Sequence, residues 1–295
     1  MSEAVVVNQP VQKRKKESMF KQVGHRLVRN PTAMIGVGII VVILLCSIFA
    51  PLLAPYDPNA MDYTALKAGP SAAHPFGCDQ LGRDILSRIL YGGRYSLTLG
   101  FICAIIGLIL GTFFGCLVGY AGGAVDNIAM RICDIWSSIP SMLLAILVST
   151  ALGPGFFNTI LAMTLGAIPG STRNTRALVL KEREMEYLEA AKAMNCSTMK
   201  ILFRHMLPNI FAFKIVGTTG NIGGSIMQAS GLSFIGLGVP SSNPEWGAMC
   251  ANGRNYMLDQ PHMLLFPGMM IVITVLAFNM FGDGLRDAMD PKLKD

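Results

Sequence analysis

Charge is what this chain has least of. Only 14% of its 295 residues are charged against 52% hydrophobic, and the mean hydropathy is +0.48. Ordinary soluble domains carry about 25% charged residues, so most of this surface is built for something other than water. Nucleotide chemistry is missing too. No G-x-x-x-x-G-K-[ST] run occurs, so the chain has no P-loop to cradle phosphates. Neither G-x-S-x-G nor H-E-x-x-H occurs, which removes two common hydrolase signatures. The seven cysteines are scattered singly with no C-x-x-C pair, so neither a zinc site nor a dithiol redox motif is indicated. His74, His205 and His262 are too far apart in sequence to suggest a metal cluster. No apolar run carries the buried Asp, Glu or His chain of a proton-coupled pump. The expectation is a chain with no catalytic, cofactor-binding or metal-ligating residues of its own.

What is present is length without charge. Five charge-free runs occur: Pro31–Tyr56, Tyr95–Val125, Ile135–Thr172, Ile215–Pro244 and Gln260–Gly282. Each exceeds the roughly 20 residues that a spanning helix needs. The third carries a Gly-Pro-Gly turn signal at 153–155 near its middle. It reads as two helices whose far ends extend past Arg131 and Arg173. The fold class predicted is an all-α polytopic membrane protein with six transmembrane helices.

Orientation follows from the 24 Lys and Arg. With the N-terminus inside, the tail holds those from Lys13 to Arg29, and further inside segments hold Arg131, the run from Arg173 to Lys214, and the C-terminal end. Only Lys67, Arg83, Arg88, Arg94 and Arg254 fall outside. The positive-inside bias therefore places both termini in the cytoplasm. The basic run at 13–16 reads as a juxtamembrane signal rather than a nucleic-acid patch.

The organisation expected is a basic cytoplasmic tail (1–30), a first span (31–56), an extracytoplasmic segment (57–94), a five-helix core (95–285) and a cytoplasmic tail (286–295). At the end of the outer segment, Leu81, Ile85 and Ile89 recur at four-residue spacing. They suggest a short amphipathic helix, lying at the membrane interface or packed on the protein's own outer loops. Cys78 and Cys250 both fall in predicted outside loops, where a disulfide and two unpaired buried thiols are both open.

Two spans have a character of their own. Gly107, Gly111, Gly115 and Gly119 form one stripe along the second span. Such a stripe lets another helix approach closely, from this chain or another. Gly100, outside the stripe, is expected to tolerate bulk better. The fifth span, about Pro208–Gly236, is rich in hydroxyls and amides, with Asn221, Ser225 and Gln228 on one face. Polar groups in hydrocarbon need a partner or a wet cavity. That face is either the lining of a solute path or a set of interhelical hydrogen bonds.

Between spans four and five lies "EYLEAAKAMNCSTMKILFRHMLPN" (186–209). A helix over Lys181–Met194 would gather Tyr187, Leu188, Ala190, Ala191 and Met194 on one face, a strip suited to a partner's groove. A second short helix from Ser197 would follow, with Asn195 at the joint.

This stretch resembles the EAA loop of ABC importer permeases, whose pattern is E-A-A, three residues, Gly, then an I-x-L-P ending. Here it reads Glu189-Ala190-Ala191, Asn195 at the glycine position, and Met206-Leu207-Pro208. "HPFGCDQLGRDILSRILYG" (74–92), "LSFIGLGVPSSNPEWGAM" (232–249) and "LAFNMFGDGLRDAMDP" (276–291) resemble the second permease subunit of the peptide and nickel importers. The resemblance covers roughly Arg29 to Pro291.

It implies a type I ABC importer permease fold in a bacterial or archaeal cell (inner) membrane. It implies half of a path for dipeptides or oligopeptides, with Asn221, Ser225 and Gln228 as candidates for its lining. Nickel or another small solute is the alternative cargo. A self-contained channel or secondary transporter would need an internal repeat or a buried charge.

The partners implied are a homologous permease, two ATP-binding cassette subunits that use ATP and magnesium, and an extracytoplasmic solute-binding protein. Nucleic acid is not among them. Tyr187, Glu189, Ala190, Ala191, Met194, Asn195 and Pro208 would couple to the ATPase. Asn195 departs from the family's glycine, but Asn is the best substitute where a left-handed residue is needed.

Overall fold

A computed structural model describes residues 19–289 of the chain. The basic run at 13–16, most of the N-terminal tail and the end of the C-terminal tail lie outside the described residues. The described chain is helical, apart from loops and turns. In order, α1 is Met19–Arg29, α2 Pro31–Ile48, α3 Ala50–Leu53, α4 Ile85–Ala121, α5 Gly123–Ser137, α6 Ser141–Leu152, α7 Phe156–Arg183, α8 Glu186–Ala193, α9 Thr198–Lys200, α10 Leu207–Phe234, α11 Trp246–Gly253 and α12 His262–Met289. A π-helical turn, Ile201–Met206, joins α9 to α10.

Helices α2, α4 and α12 are each long and apolar enough to cross a membrane. The pair α5 and α6 passes the same test jointly but is bent by 76°. The sequence reading expected one unbroken helix through that pair. Pro140 explains the break: it has no N–H to donate, and it disfavours helix in the residue before it. Its ψ of 133° turns the chain before α6 begins. The Gly-Pro-Gly turn does part α6 from α7, with Gly153 at φ 82°.

The amphipathic helix expected at the end of 57–94 is not a separate element. It is the first turns of α4, which spans 37 residues without a break. At 1.5 Å per residue such a helix is about 55 Å long, well beyond a hydrocarbon core of about 30 Å. Ile85 and Ile89 are buried inside the protein, so they do not lie on the membrane surface. They join one apolar core with Ile40 and Ile43 of α2, Ile222 and Ile226 of α10, Trp246 of α11, and Ala277 and Phe278 of α12.

The glycine stripe packs within this chain. A Cβ on Gly111 would sit 2.0 Å from Ser171 Oγ, and one on Gly115 would sit 2.4 Å from Thr175 Cβ. Gly119 faces Val179 at 2.9 Å, and Gly107 faces Ala167 at 3.8 Å. Ala167, Ser171, Thr175 and Val179 also recur every four residues, so a ladder on α7 meets the stripe on α4. Gly100 is not the open position expected. Its Cβ would meet Ile226 Cγ1 at 2.4 Å, so α4 uses a second close approach, to α10.

Candidate functional site

The polar loop between α7 and α10 is built on the Gly119–Val179 end of the α4–α7 ladder. Helix α7 stops at Arg183, two residues turn the chain, and α8 starts at Glu186. The single helix expected over Lys181–Met194 is therefore two helices. The expected apolar strip also divides. Leu188 and Ala191 turn inward, into a cluster with Cys116, Val179, Ile201, Leu202, Met206 and Ile210. Tyr187, Glu189, Ala190 and Met194 stay exposed. Successive helical residues step by about 100°, so a strip five residues wide cannot face a single wall. Ala191 is 3% exposed, so its small size answers to packing within the chain.

Polar contacts lock the loop from outside. The Tyr187 hydroxyl donates to Glu182 Oε1. Asn209 Nδ2 donates to the Tyr187 oxygen at 2.9 Å and to Glu182 Oε1 at 3.2 Å. Burial and the neighbouring Glu182 push the Tyr187 phenol up to about 12, so it stays a donor. Asn195 sits at the joint after α8 with φ 58°, the left-handed conformation the sequence reading anticipated. Its N–H donates to Lys192 O at 2.9 Å, and the next N–H, of Cys196, to Ala191 O at 3.1 Å. These bonds satisfy carbonyls at the end of α8 that the helix leaves free. Pro208 is exposed in the first turn of α10, directly after the π-helical turn, and has no N–H to donate back into it.

A cavity of about 510 Å³ lies among α4, α7, α10 and α12. Asn221, Ser225 and Gln228 all line it. None of the three side chains has a hydrogen bond to any described residue. Hydrogen bonding between helices of the described chain therefore does not account for these polar groups. Asn174 of α7 and Asn279 of α12 line the same space.

The start of α4 is held by charges whose partners the sequence reading left unassigned. Arg88 is buried, and its guanidinium donates to Pro58 O at 2.8 Å, Ser241 O at 3.3 Å and Asn243 O at 3.2 Å. Asp84 accepts from Ser87 N at 2.7 Å and lies 3.0 Å from His74 Nδ1. Glu245 is wholly buried and accepts from the backbone N–H groups of Gly247 and Ala248, capping α11. Burial pushes its carboxyl pKa up, against the lowering effect of those bonds. Trp246 Nε1 donates to Ile89 O at 3.0 Å. Together these contacts tie segment 57–94 and the 237–259 loop to the first turns of α4. Only the sequence distance between partners hid them. Cys78 and Cys250 are free buried thiols, as one of the two readings had it.

Residues 88–295 match the family described as binding-protein-dependent transport system inner membrane component. Residues 18–70 match the N-terminal transmembrane domain of oligopeptide transport permease C. The chain is 45% identical over 263 residues to the probable D,D-dipeptide transport system permease protein DdpC of Escherichia coli, covering 89% of this chain and 88% of that protein. It is 44% identical over 277 residues to the glutathione transport system permease protein GsiD of Pectobacterium atrosepticum, covering 93% and 92%. Among solved structures, an inward-facing form of the MetNI methionine ABC transporter matches with TM-score 0.54 and 21% identity, over 67% of this chain and 94% of that one. At that identity the likeness concerns the fold.

Proposed function

The chain belongs to the family of binding-protein-dependent transport system inner membrane components, and on that premise we propose that it is one of two permease halves of an ATP-driven importer of short peptides. The relatives named for dipeptide and glutathione transport support peptide cargo over nickel. The observation that carries the reading is the cavity itself. Amide and hydroxyl groups with no partner among the described residues, set between apolar helices, suit a polar solute in passage.

In this reading the six apolar stretches are six spans: α2, α4, the α5–α6 pair, α7, α10 and α12. Both termini and the α8 loop lie in the cytoplasm of a bacterial cell, and segments 57–94 and 237–259 face the binding protein. The organisation into tails, first span and five-helix core follows from that. The chain binds no cofactor of its own, and ATP and magnesium belong to two partner ATPase subunits. A homologous permease supplies the other half of the path.

Helix α8 is the coupling element. Tyr187, Glu189, Ala190 and Met194 form the docking face, while Ala191, Asn195 and Pro208 shape its support. Docking an exposed strip beside a rigid inner cluster lets a movement of the ATPase pass to α4 and α7 as one body. Ala190→Arg tests this. On a merely solvated helix the change is worth no more than about 0.5 kcal/mol. In an interface centre it costs about 2 kcal/mol or more. The expected outcome is a permease pair that still assembles but no longer copurifies with its ATPase or imports peptide. Wild-type copurification and uptake would remove α8 from the coupling role.

A further inference from the structure

Lys214 sits about two turns past the start of α10 and lines the same cavity as Asn221, Ser225 and Gln228. It is the only charged residue among the lining groups. Its Nζ donates to Ser171 Oγ at 3.0 Å and to Ser171 O at 3.3 Å, both neutral acceptors. No carboxylate among the described residues pairs with it. A half-buried ammonium without a counter-ion is costly in a low-dielectric wall, and such charges in membrane proteins mark a place where an opposite charge comes to rest. The local packing also fixes its position. Ser171 is pressed against Gly111 of α4, so the acceptor that holds Lys214 cannot drift.

We infer that Lys214 is a binding site in the path for an anionic group of the solute, the C-terminal carboxylate of a peptide. The inference rests on the proposed peptide cargo and adds a residue and a recognised group to it. Lys214 provides the charge, while Asn174 and Asn221 offer amide donors from α7 and α10. A carboxylate passing this level would replace Ser171 as the partner of one ammonium proton and form a charge-assisted hydrogen bond. No bond is made or broken in the solute.

The test uses the whole complex in proteoliposomes, with its second permease, ATPase subunits and binding protein. The probes are alanyl-alanine and alanyl-alanine amide, each at a concentration shown to saturate the binding protein. Uptake by each variant is divided by wild-type uptake of the same probe, so the binding protein's own preference cancels. Lys214→Met should lower alanyl-alanine uptake about tenfold, the scale of one lost charge-assisted bond. It should leave the amide within about twofold and keep the ATPase responsive to loaded binding protein. Lys214→Arg should restore most uptake. Lys214→Gln keeps a donor for Ser171, should assemble if the Met variant does not, and should show the same selective loss.

Equal loss of both probes in Lys214→Gln would reduce Lys214 to a structural tie between α7 and α10. Unchanged uptake by Lys214→Met would overturn the inference alone. A wild-type complex that imports neither probe would instead sink the peptide reading, and the inference with it.

Discussion

Changing one hydrogen to a methyl in the α4 stripe separates packing from propensity. In Gly115→Ala the new Cβ would sit 2.4 Å from Thr175 Cβ and 2.6 Å from Thr172 O. Apolar atoms prefer about 3.5–4.0 Å, so roughly an ångström has to be found. Thr175 is fully buried and its hydroxyl donates to Ser171 O at 2.9 Å, so it has no free rotamer to retreat to. The Thr172 oxygen is backbone and can move only with α7. The two helices must therefore part. Overpacking of this kind costs about 1–3 kcal/mol. Against it stands the better helix propensity of Ala over Gly, worth up to about 1 kcal/mol. The clash wins, and the variant should lose about 1–2 kcal/mol.

Gly107→Ala gives the opposite sign. Its Cβ would lie 3.8 Å from the Ala167 methyl, an ordinary contact. Propensity is then unopposed, and stability should hold or rise slightly. Gly38→Leu on α2 is the control for bulk in a span, because nothing lies within 4 Å of its Cβ. The assay is the midpoint of heat-induced loss of the monodisperse peak for the detergent-purified complex. Midpoints should rank Gly107→Ala at or above wild type, Gly38→Leu near it and Gly115→Ala clearly below. Equal midpoints for the Gly107 and Gly115 variants would refute the derivation, because the two glycines differ only in what faces them.

Two further outcomes follow from the loop. Asn195 has φ 58°, so Asn195→Gly should import peptide as the wild type does, while Asn195→Val should lose uptake because a β-branched residue is strained there; normal uptake by the Val variant would mean the joint tolerates another conformation. Ser197 is exposed, so a cysteine placed there in a chain cleared of its native cysteines should react with a membrane-impermeant maleimide in inside-out vesicles but not in intact cells. Reaction in intact cells would reverse the topology.

The parts legible in the sequence are those whose cause is local. A run without charge predicts a greasy helix whatever it packs against, and a glycine every fourth residue predicts close approach whatever approaches. The left-handed Asn195 is local as well, since the joint needs a residue that tolerates positive φ. The identity of the approaching surface is not local. Nothing in the stripe says that the complementary ladder begins at Ala167, sixty residues on. Nothing in "EAA" says that Ala191 packs against its own chain while Ala190 does not. The two alanines differ by one step of rotation, and only the position of the Cys116–Ile210 cluster decides which is inside.

The partners of the charges were not legible for a related reason. A reading by charge-free runs counts Lys214 with the inside charges and Arg88 with the outside ones, but says nothing of what receives either. Helices do not stop at charges when a partner or a cavity receives them. Arg88 finds carbonyls about 30 and 153 residues away along the chain. Lys214 finds only a serine and an open space. The first case is settled by the chain's own loops. The second is not, and the unsettled charge therefore points to the solute, where the buried but satisfied one points only to the fold.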